Sequence, residues 1–249
     1  MTVPGRREAA RLLLSLEPPA WSLRHACAVA DVAAWLAARV TARGLDVDRR
    51  AVEAAALLHD VDKLPSAGAD GRLRHGERSA AWLEARGLPE LASLVLDHPV
   101  TSLAEDEPAA RLAAASPEAR IVAYADKRAG QQLESMDERF GSWRRRYPSG
   151  LGDPASSRGA NKPSGRGAAR PRDGGPKGHG WGDDTAALVV ARARTLERDV
   201  CALAGVPPEG VSRLRWSRRA LREAASEAAR GAAPTATGGD NPSAVRSAR

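Results

Sequence analysis

The chain has 249 residues, of which 43% are apolar but only 4% aromatic, and its formal net charge is +7. This composition predicts a globular core along part of the chain. The chain also has no apolar run close to the roughly 20 residues of a membrane span, so we expect a cytoplasmic protein without membrane contact. Abundant Ala and Arg favour a GC-rich bacterial source, and Cys27 and Cys201, which lack paired spacing, are expected to be buried thiols.

The first half of the chain shows helical periodicity in three long segments. Apolar residues recur at i, i+3 and i+4 in residues 5–16, 22–43 and 48–60. Ser22 is the predicted start of the second helix, and Asp48 is the predicted N-cap of the third. That third helix ends in His59-Asp60.

Shorter helices are predicted farther along the chain. Residues 76–86 and 89–97 form two of them, with His75 and His98 at their edges. Ser116-Pro117-Glu118 starts a helix that runs through Asp126, and Ser135 to Glu138 match a capping box that opens a helix to about residue 147.

The later part of the chain changes in composition. Residues 149–182 are rich in Gly, Pro and Arg, which predicts a disordered insert. Helices are predicted again at 183–204 and 211–230. The expected organisation is a domain at 1–148, the insert at 149–182, C-terminal helices packing on the domain at 183–230, and a disordered tail at 231–249. The fold class is all-α, because no segment alternates in the manner of a strand.

The positive charge lies mainly outside the predicted domain. Residues 144–180 contain nine Lys or Arg against two Asp or Glu, and residues 213–249 contain eight against three. The rest of the chain is therefore mildly acidic. We expect nucleic acid to bind at most non-specifically, through the basic insert.

Histidines occur where helices otherwise require apolar residues. His59-Asp60 follows the apolar stretch 54–58, and burying either group without a partner would cost several kcal/mol. Two helices with a short connection pack antiparallel, which can bring His25 near His59, and Asp126 follows an apolar stretch in the same way. Structural pairing within the core is the alternative. A bound metal would compensate all four groups, and imidazole with carboxylate suits iron, manganese or zinc.

These residues resemble the H…HD…D signature of the HD superfamily of metal-dependent phosphohydrolases. His75 and His98 are similar to the additional histidines of its dinuclear branch. The resemblance covers about residues 20–147 and implies an HD-type helical bundle in which Asp60 bridges two ions. It assigns the ligands His25, His59, Asp60, His75, His98 and Asp126.

The resemblance also implies a function. A metal-activated water would cleave a phosphoester or phosphoanhydride bond of a small nucleotide-like substrate, with two divalent ions, iron or manganese first and zinc, cobalt or nickel as alternatives. Asp60, Lys63 and Asp62 would be catalytic, Asp62 through proton transfer. Asp62 departs from the family pattern, which often has Gly at this position. Lys63 and Arg128 are the candidate phosphate contacts.

Two other functions are compatible with the sequence. One is a di-iron oxygenase on the same scaffold. The other is a nucleic-acid-binding protein with a vestigial metal site, which the near absence of aromatic residues in 144–180 disfavours.

Overall fold

The computed structural model describes residues 2–68, 71–146 and 183–231. Within these ranges the protein is all-α, as predicted, and contains no β-strand. The predicted insert, and the predicted tail beyond residue 231, lie outside the described residues. The helices are α1 (Arg6–Leu14), α2 (Ala20–Ala42), α3 (Arg49–Leu58), α4 (Glu77–Glu84), α5 (Pro89–Val95), α6 (Asp106–Ala113), α7 (Pro117–Arg128), α8 (Met136–Arg146), α9 (Asp183–Ala204) and α10 (Ser217–Gly231). None of them combines the length and the apolar character that crossing a bilayer requires.

Local capping signals define several helix starts as the sequence predicts. The Asp48 carboxylate accepts a hydrogen bond from the backbone N–H of Ala51 at 3.0 Å and caps α3. At the start of α8, Ser135 and Glu138 form the reciprocal capping box: the Glu138 N–H donates to the Ser135 hydroxyl, and the Ser135 N–H donates to the Glu138 carboxylate.

Two predicted helix starts are wrong. Helix α2 begins at Ala20 rather than Ser22, because the Pro19 carbonyl already accepts from the Ser22 N–H at 2.9 Å. Helix α10 begins at Ser217 rather than Val211. Its first amides are capped from a distant helix, since one carboxylate oxygen of Asp31 accepts from the backbone N–H groups of Trp216 and Ser217 at 3.2 and 3.1 Å.

In the described part of the chain, helix α6 and four short 3-10 helices have no counterpart in the predictions. The 3-10 helices cover Val61–Lys63, Pro65–Ala67, Val100–Leu103 and Pro208–Gly210. The first of these follows His59-Asp60 directly, so the chain turns sharply where the candidate site begins.

Helix α3 lies at the centre of the core and packs against α1, α2, α5 and α7. Helix α2 is rich in buried alanines, which let its backbone approach its neighbours closely. Helix α9 packs on α7, and α10 packs on α1. Both cysteines are buried and free, as expected. This packing brings the C-terminal end of α3 next to α2, α5 and α7, which carry or adjoin His25, His98 and Asp126.

Candidate metal centre

The six predicted ligands come from five separate segments, and the structure brings them together. His25 lies on α2 and Asp126 on α7. His59 caps the C-terminus of α3, and Asp60 follows it. The remaining two lie at loop positions, His75 just before α4 and His98 after α5. All but His25 are less than a tenth exposed.

The first group of donors surrounds one position. His25 Nε2 is 3.2 Å from His59 Nε2 and 3.3 Å from a carboxylate oxygen of Asp126. His59 Nε2 is 3.7 Å from the same oxygen. Two ligands that each lie about 2.1 Å from one ion are separated by about 3.0–3.4 Å in octahedral or tetrahedral geometry. The two distances from His25 Nε2 fall in this range and the third is slightly longer, so small side-chain shifts would let the three donors hold a transition-metal ion.

Asp60 divides its two carboxylate oxygens between two pairs of histidines. Oδ2 lies 3.3 Å from His25 Nε2 and 3.6 Å from His59 Nε2. Oδ1 lies 3.3 Å from His75 Nε2 and 3.4 Å from His98 Nε2. One carboxylate thus faces two sets of nitrogen donors, which is the arrangement required of a bridging ligand.

Each of the four imidazoles is oriented by a hydrogen bond from its other nitrogen. Nδ1 lies 2.7 Å from the Gly130 carbonyl oxygen in His25, 2.8 Å from that of Ala56 in His59, and 2.5 Å from that of Val95 in His98. His75 Nδ1 lies 3.0 Å from both carboxylate oxygens of Asp62. Because these partners accept hydrogen bonds, Nδ1 carries the proton of each neutral imidazole, and Nε2 is the nitrogen that can bind a cation.

Gly76 allows His75 and His98 to come together. Its φ is +90°, and an added Cβ would lie 2.4 Å from the Leu96 carbonyl oxygen and 2.9 Å from the Pro99 ring. Only glycine accepts both this backbone conformation and this approach. The His75-Gly76 and His98-Pro99 pairs in the sequence therefore form one structural contact.

The electrostatics of the cluster favour added positive charge. Burial by itself raises the pKa of Asp60 and Asp126, yet both pKa values lie well below the usual range. Lys63 and the imidazoles stabilise the Asp60 carboxylate, and the imidazoles of His25 and His59 stabilise that of Asp126. Burial likewise opposes a charge on His25, but hydrogen bonds with Asp126 and Asp60 raise its pKa to about 9. Burial lowers the pKa of His98 to about 4. Without a metal, the two carboxylates thus keep His25 protonated, and a bound cation would supply the positive charge in place of that proton.

Lys63 lies beside Asp60. Its Nζ is 2.9 Å from both carboxylate oxygens, and its side chain is 18% exposed. Burial lowers the pKa of Lys63, but the charges of Asp60 and Asp126 outweigh this effect and raise it, so the ammonium stays charged. Lys63 therefore places a positive charge at the partly exposed edge of the cluster.

The structure corrects the expectation for Arg128 as a phosphate contact. Its guanidinium is buried and donates to the Tyr124 hydroxyl at 2.5 Å, to the Glu134 carbonyl at 2.8 Å and to the Pro208 carbonyl at 3.0 Å. Glu197 of α9 lies 3.4 Å away. Arg128 joins α7 to α9, and these partners leave it unavailable to a substrate.

Lys127 is a residue near the site that the sequence analysis missed. It is completely buried, and its ammonium donates to the carbonyl oxygens of His98 at 2.6 Å and Ala123 at 3.2 Å. Burial lowers its pKa to about 8. A lysine next to Asp126, directly after the apolar stretch 121–125, was the available signal. Its contact ties the backbone of His98 to α7.

The fold and site together define an all-α protein with a buried cluster of histidines and carboxylates able to hold metal. Three overlapping donor sets have ligand atoms within 4.8 Å of one another: His25, His59 and Asp126; His59, Asp60 and His98; and Asp60, Asp62 and His75. Residues 22–130, which include all six predicted ligands, match the family model described as HD domain. Over this segment the chain is therefore similar to the HD domain. Neither the curated proteins nor the solved structures gave a match.

Proposed function

We propose that the protein is a phosphohydrolase that uses two divalent transition-metal ions. The first would be held by His25, His59, Asp60 and Asp126, and the second by Asp60, His75 and His98. The division of the Asp60 oxygens between two histidine pairs carries this proposal. Nitrogen donors mixed with carboxylates favour iron or manganese, with zinc, cobalt or nickel as alternatives, over calcium or magnesium.

The side chains of the site have distinct roles in this reaction. When bound, two such ions supply Lewis acidity and acidify water to a nucleophile near neutral pH. The Nδ1 hydrogen bonds hold the four Nε2 donors in place without reorganisation. Lys63 is charged and partly exposed, so it can bind a phosphate oxygen of the substrate. No side-chain nucleophile is required.

A nucleotide-like substrate is supported by the surface next to the site. Trp21 precedes His25 by one helical turn on α2, and residues at i and i+4 share a helix face. Trp21 is 47% exposed, whereas Trp82, Trp143 and Trp216 are all buried. An exposed indole on the same helix face as His25 offers a surface on which a base can stack, worth about 1–3 kcal/mol.

Metal analysis and substrate release test this proposal. Protein purified anaerobically is expected to contain two transition-metal ions per chain and to release phosphate from some members of a nucleotide panel. Oxygen consumption without phosphate release would instead indicate the di-iron oxygenase. An inactive protein with one ion or none would contradict the proposal.

The substrate class is tested by Trp21→Ala. We expect the KM for the best nucleotide to rise about fivefold or more, from the loss of about 1 kcal/mol or more of stacking. Hydrolysis of tripolyphosphate, which has no base, should not change. Leu45→Ala is the matched control, because Leu45 is 42% exposed and lies beyond the other end of α2. An equal effect on both substrates would contradict base stacking.

The domain organisation of the chain is also part of the proposal. The contacts of α9 with α7 and of α10 with α1 support a single folding unit formed by residues 1–148 and 183–230.

A further inference from the structure

The Asp62 carboxylate forms a buried hydrogen-bonded group behind His75. Its side chain is 1% exposed. Both of its oxygens lie 3.0 Å from His75 Nδ1, the Ser79 hydroxyl donates to Oδ1 at 2.9 Å, and Arg78 Nη2 lies 3.2 Å from Oδ2. Among the four histidines of the cluster, His75 is the one whose Nδ1 is held by a carboxylate rather than a backbone carbonyl.

We propose that Asp62 is a positioning residue that determines the affinity of the second metal position through His75. This inference rests on the proposed dinuclear function. A carboxylate can only accept the hydrogen bond, so it keeps the proton on Nδ1 and leaves Nε2 free to bind a cation. The negative partner also makes the imidazole a stronger donor than a carbonyl partner does.

The neighbours of Asp62 explain how it keeps one orientation. Ser79 and Arg78 both belong to α4, which begins directly after His75 and Gly76. Asp62 itself lies in the 3-10 helix Val61–Lys63. The Asp62 contacts therefore tie the turn after Asp60 to the start of α4, and the imidazole between these elements has little freedom to rotate.

Two other roles for Asp62 agree less well with the geometry. As a ligand it lies within reach of Asp60 and His75, but its oxygens contact His75 Nδ1, whereas the nitrogen that faces Asp60 is Nε2. Three donors also occupy most of the acceptor positions of its oxygens. As a proton-transfer group it would have to reach the substrate, and its side chain is inaccessible. The positioning role uses the contacts as they stand.

Titration of the metal-free full chain with Mn²⁺ tests the inference. We expect Asp62→Ala to weaken the second Mn²⁺ site by about 10–100-fold, the usual effect of losing such a partner, and to leave the first site within about twofold. Asp62→Asn should lie between Asp62→Ala and wild type, because its amide oxygen still accepts one hydrogen bond without the charge. His75→Ala should abolish the second site.

Glu53→Gln provides the matched control. Glu53 is a buried carboxylate on α3 that is paired with Arg6 rather than with the cluster. Its substitution should affect thermal unfolding but neither Mn²⁺ site. Circular dichroism of each variant verifies that the helices are retained.

The possible outcomes separate this inference from the function on which it rests. Two Mn²⁺ ions in wild type, with both sites unchanged in Asp62→Ala, would overturn the positioning role alone. Equal weakening of both sites would also overturn it, because that result would indicate general structural damage. Complete loss of the second ion in Asp62→Asn, as in His75→Ala, would overturn it as well, because that result would indicate that Asp62 binds the ion directly. A wild-type protein that binds a single ion would overturn the dinuclear proposal and this inference together.

Discussion

Asp60→Asn is the most informative single substitution, because Asp60 faces both halves of the cluster. The change preserves the shape of the side chain but replaces one oxygen with an amide nitrogen that cannot bind a cation. In the structure each oxygen serves a different histidine pair, at 3.3 and 3.6 Å on one side and 3.3 and 3.4 Å on the other. Asparagine therefore leaves one position without the Asp60 oxygen and gives the other only a neutral oxygen donor.

The expected effect on metal binding is large. Loss of an indirect partner already costs about 10–100-fold in affinity. Loss of Asp60, the charged ligand that we propose as the bridge, should therefore cost more than about 100-fold at one position or both. That corresponds to more than about 2.8 kcal/mol. We expect nearly all phosphate release to be lost with the metal.

Folding should be much less affected than metal binding. Without Asp60, the Lys63 ammonium loses its closest partner, but its side chain is 18% exposed and can turn toward water. We expect the metal-free variant to lose about 1–3 kcal/mol of the free energy of unfolding and to stay helical. The measurements are metal content by elemental analysis, Mn²⁺ titration, and chemical denaturation followed by circular dichroism.

Asp31→Asn is the control for Asp60→Asn, because both aspartates are 6% exposed and Asp31 lies away from the cluster. It should retain both ions and full turnover. If Asp60→Asn kept wild-type metal content and turnover, the bridging role and the proposed function would both be refuted.

Three further predictions concern single contacts. Lys63→Ala should retain both ions but raise the KM for a phosphorylated substrate about tenfold, because we propose that its ammonium binds phosphate rather than metal. Loss of the ions would contradict this. Gly76→Ala should lower the free energy of unfolding by about 2–4 kcal/mol and weaken the second Mn²⁺ site, because its Cβ would lie 2.4 Å from the Leu96 carbonyl oxygen. Gly44→Ala has a similar positive φ but nothing within 4 Å, so it should cost only about 1 kcal/mol, and equal losses would exclude the steric explanation. Asp31→Ala should cost about 2 kcal/mol in chemical denaturation because two amides at the start of α10 lose their acceptor, whereas Asp31→Asn keeps an oxygen and should cost less than half as much.

The sequence predicts the helices well where their signals are local. Asp48 and the Ser135–Glu138 pair cap their own helices within three residues, so their roles are visible in the sequence. The start of α10 depends instead on Asp31, which lies about 185 residues earlier. Such a contact leaves no periodic pattern, which is why Val211 was wrongly predicted as the start.

The residues that form the candidate site could be identified from the sequence alone. Histidine and aspartate inside apolar helices are too costly to bury unpaired, so their presence there predicts a compensating partner wherever the chain folds. The order of these residues along the chain predicted the same superfamily that the match to residues 22–130 supports.

The tertiary structure decided how these residues are used. Which imidazole nitrogen faces the cluster, and how Asp60 divides its oxygens, depend on distances between segments far apart in the chain. The same is true of the contacts that Asp62 makes with His75 and that Arg128 makes with Glu197 of α9. A hydrogen bond requires a partner within about 3 Å at a suitable angle. Only the packing of α2, α3, α4, α5 and α7 specifies those positions, and the sequence of any one segment does not.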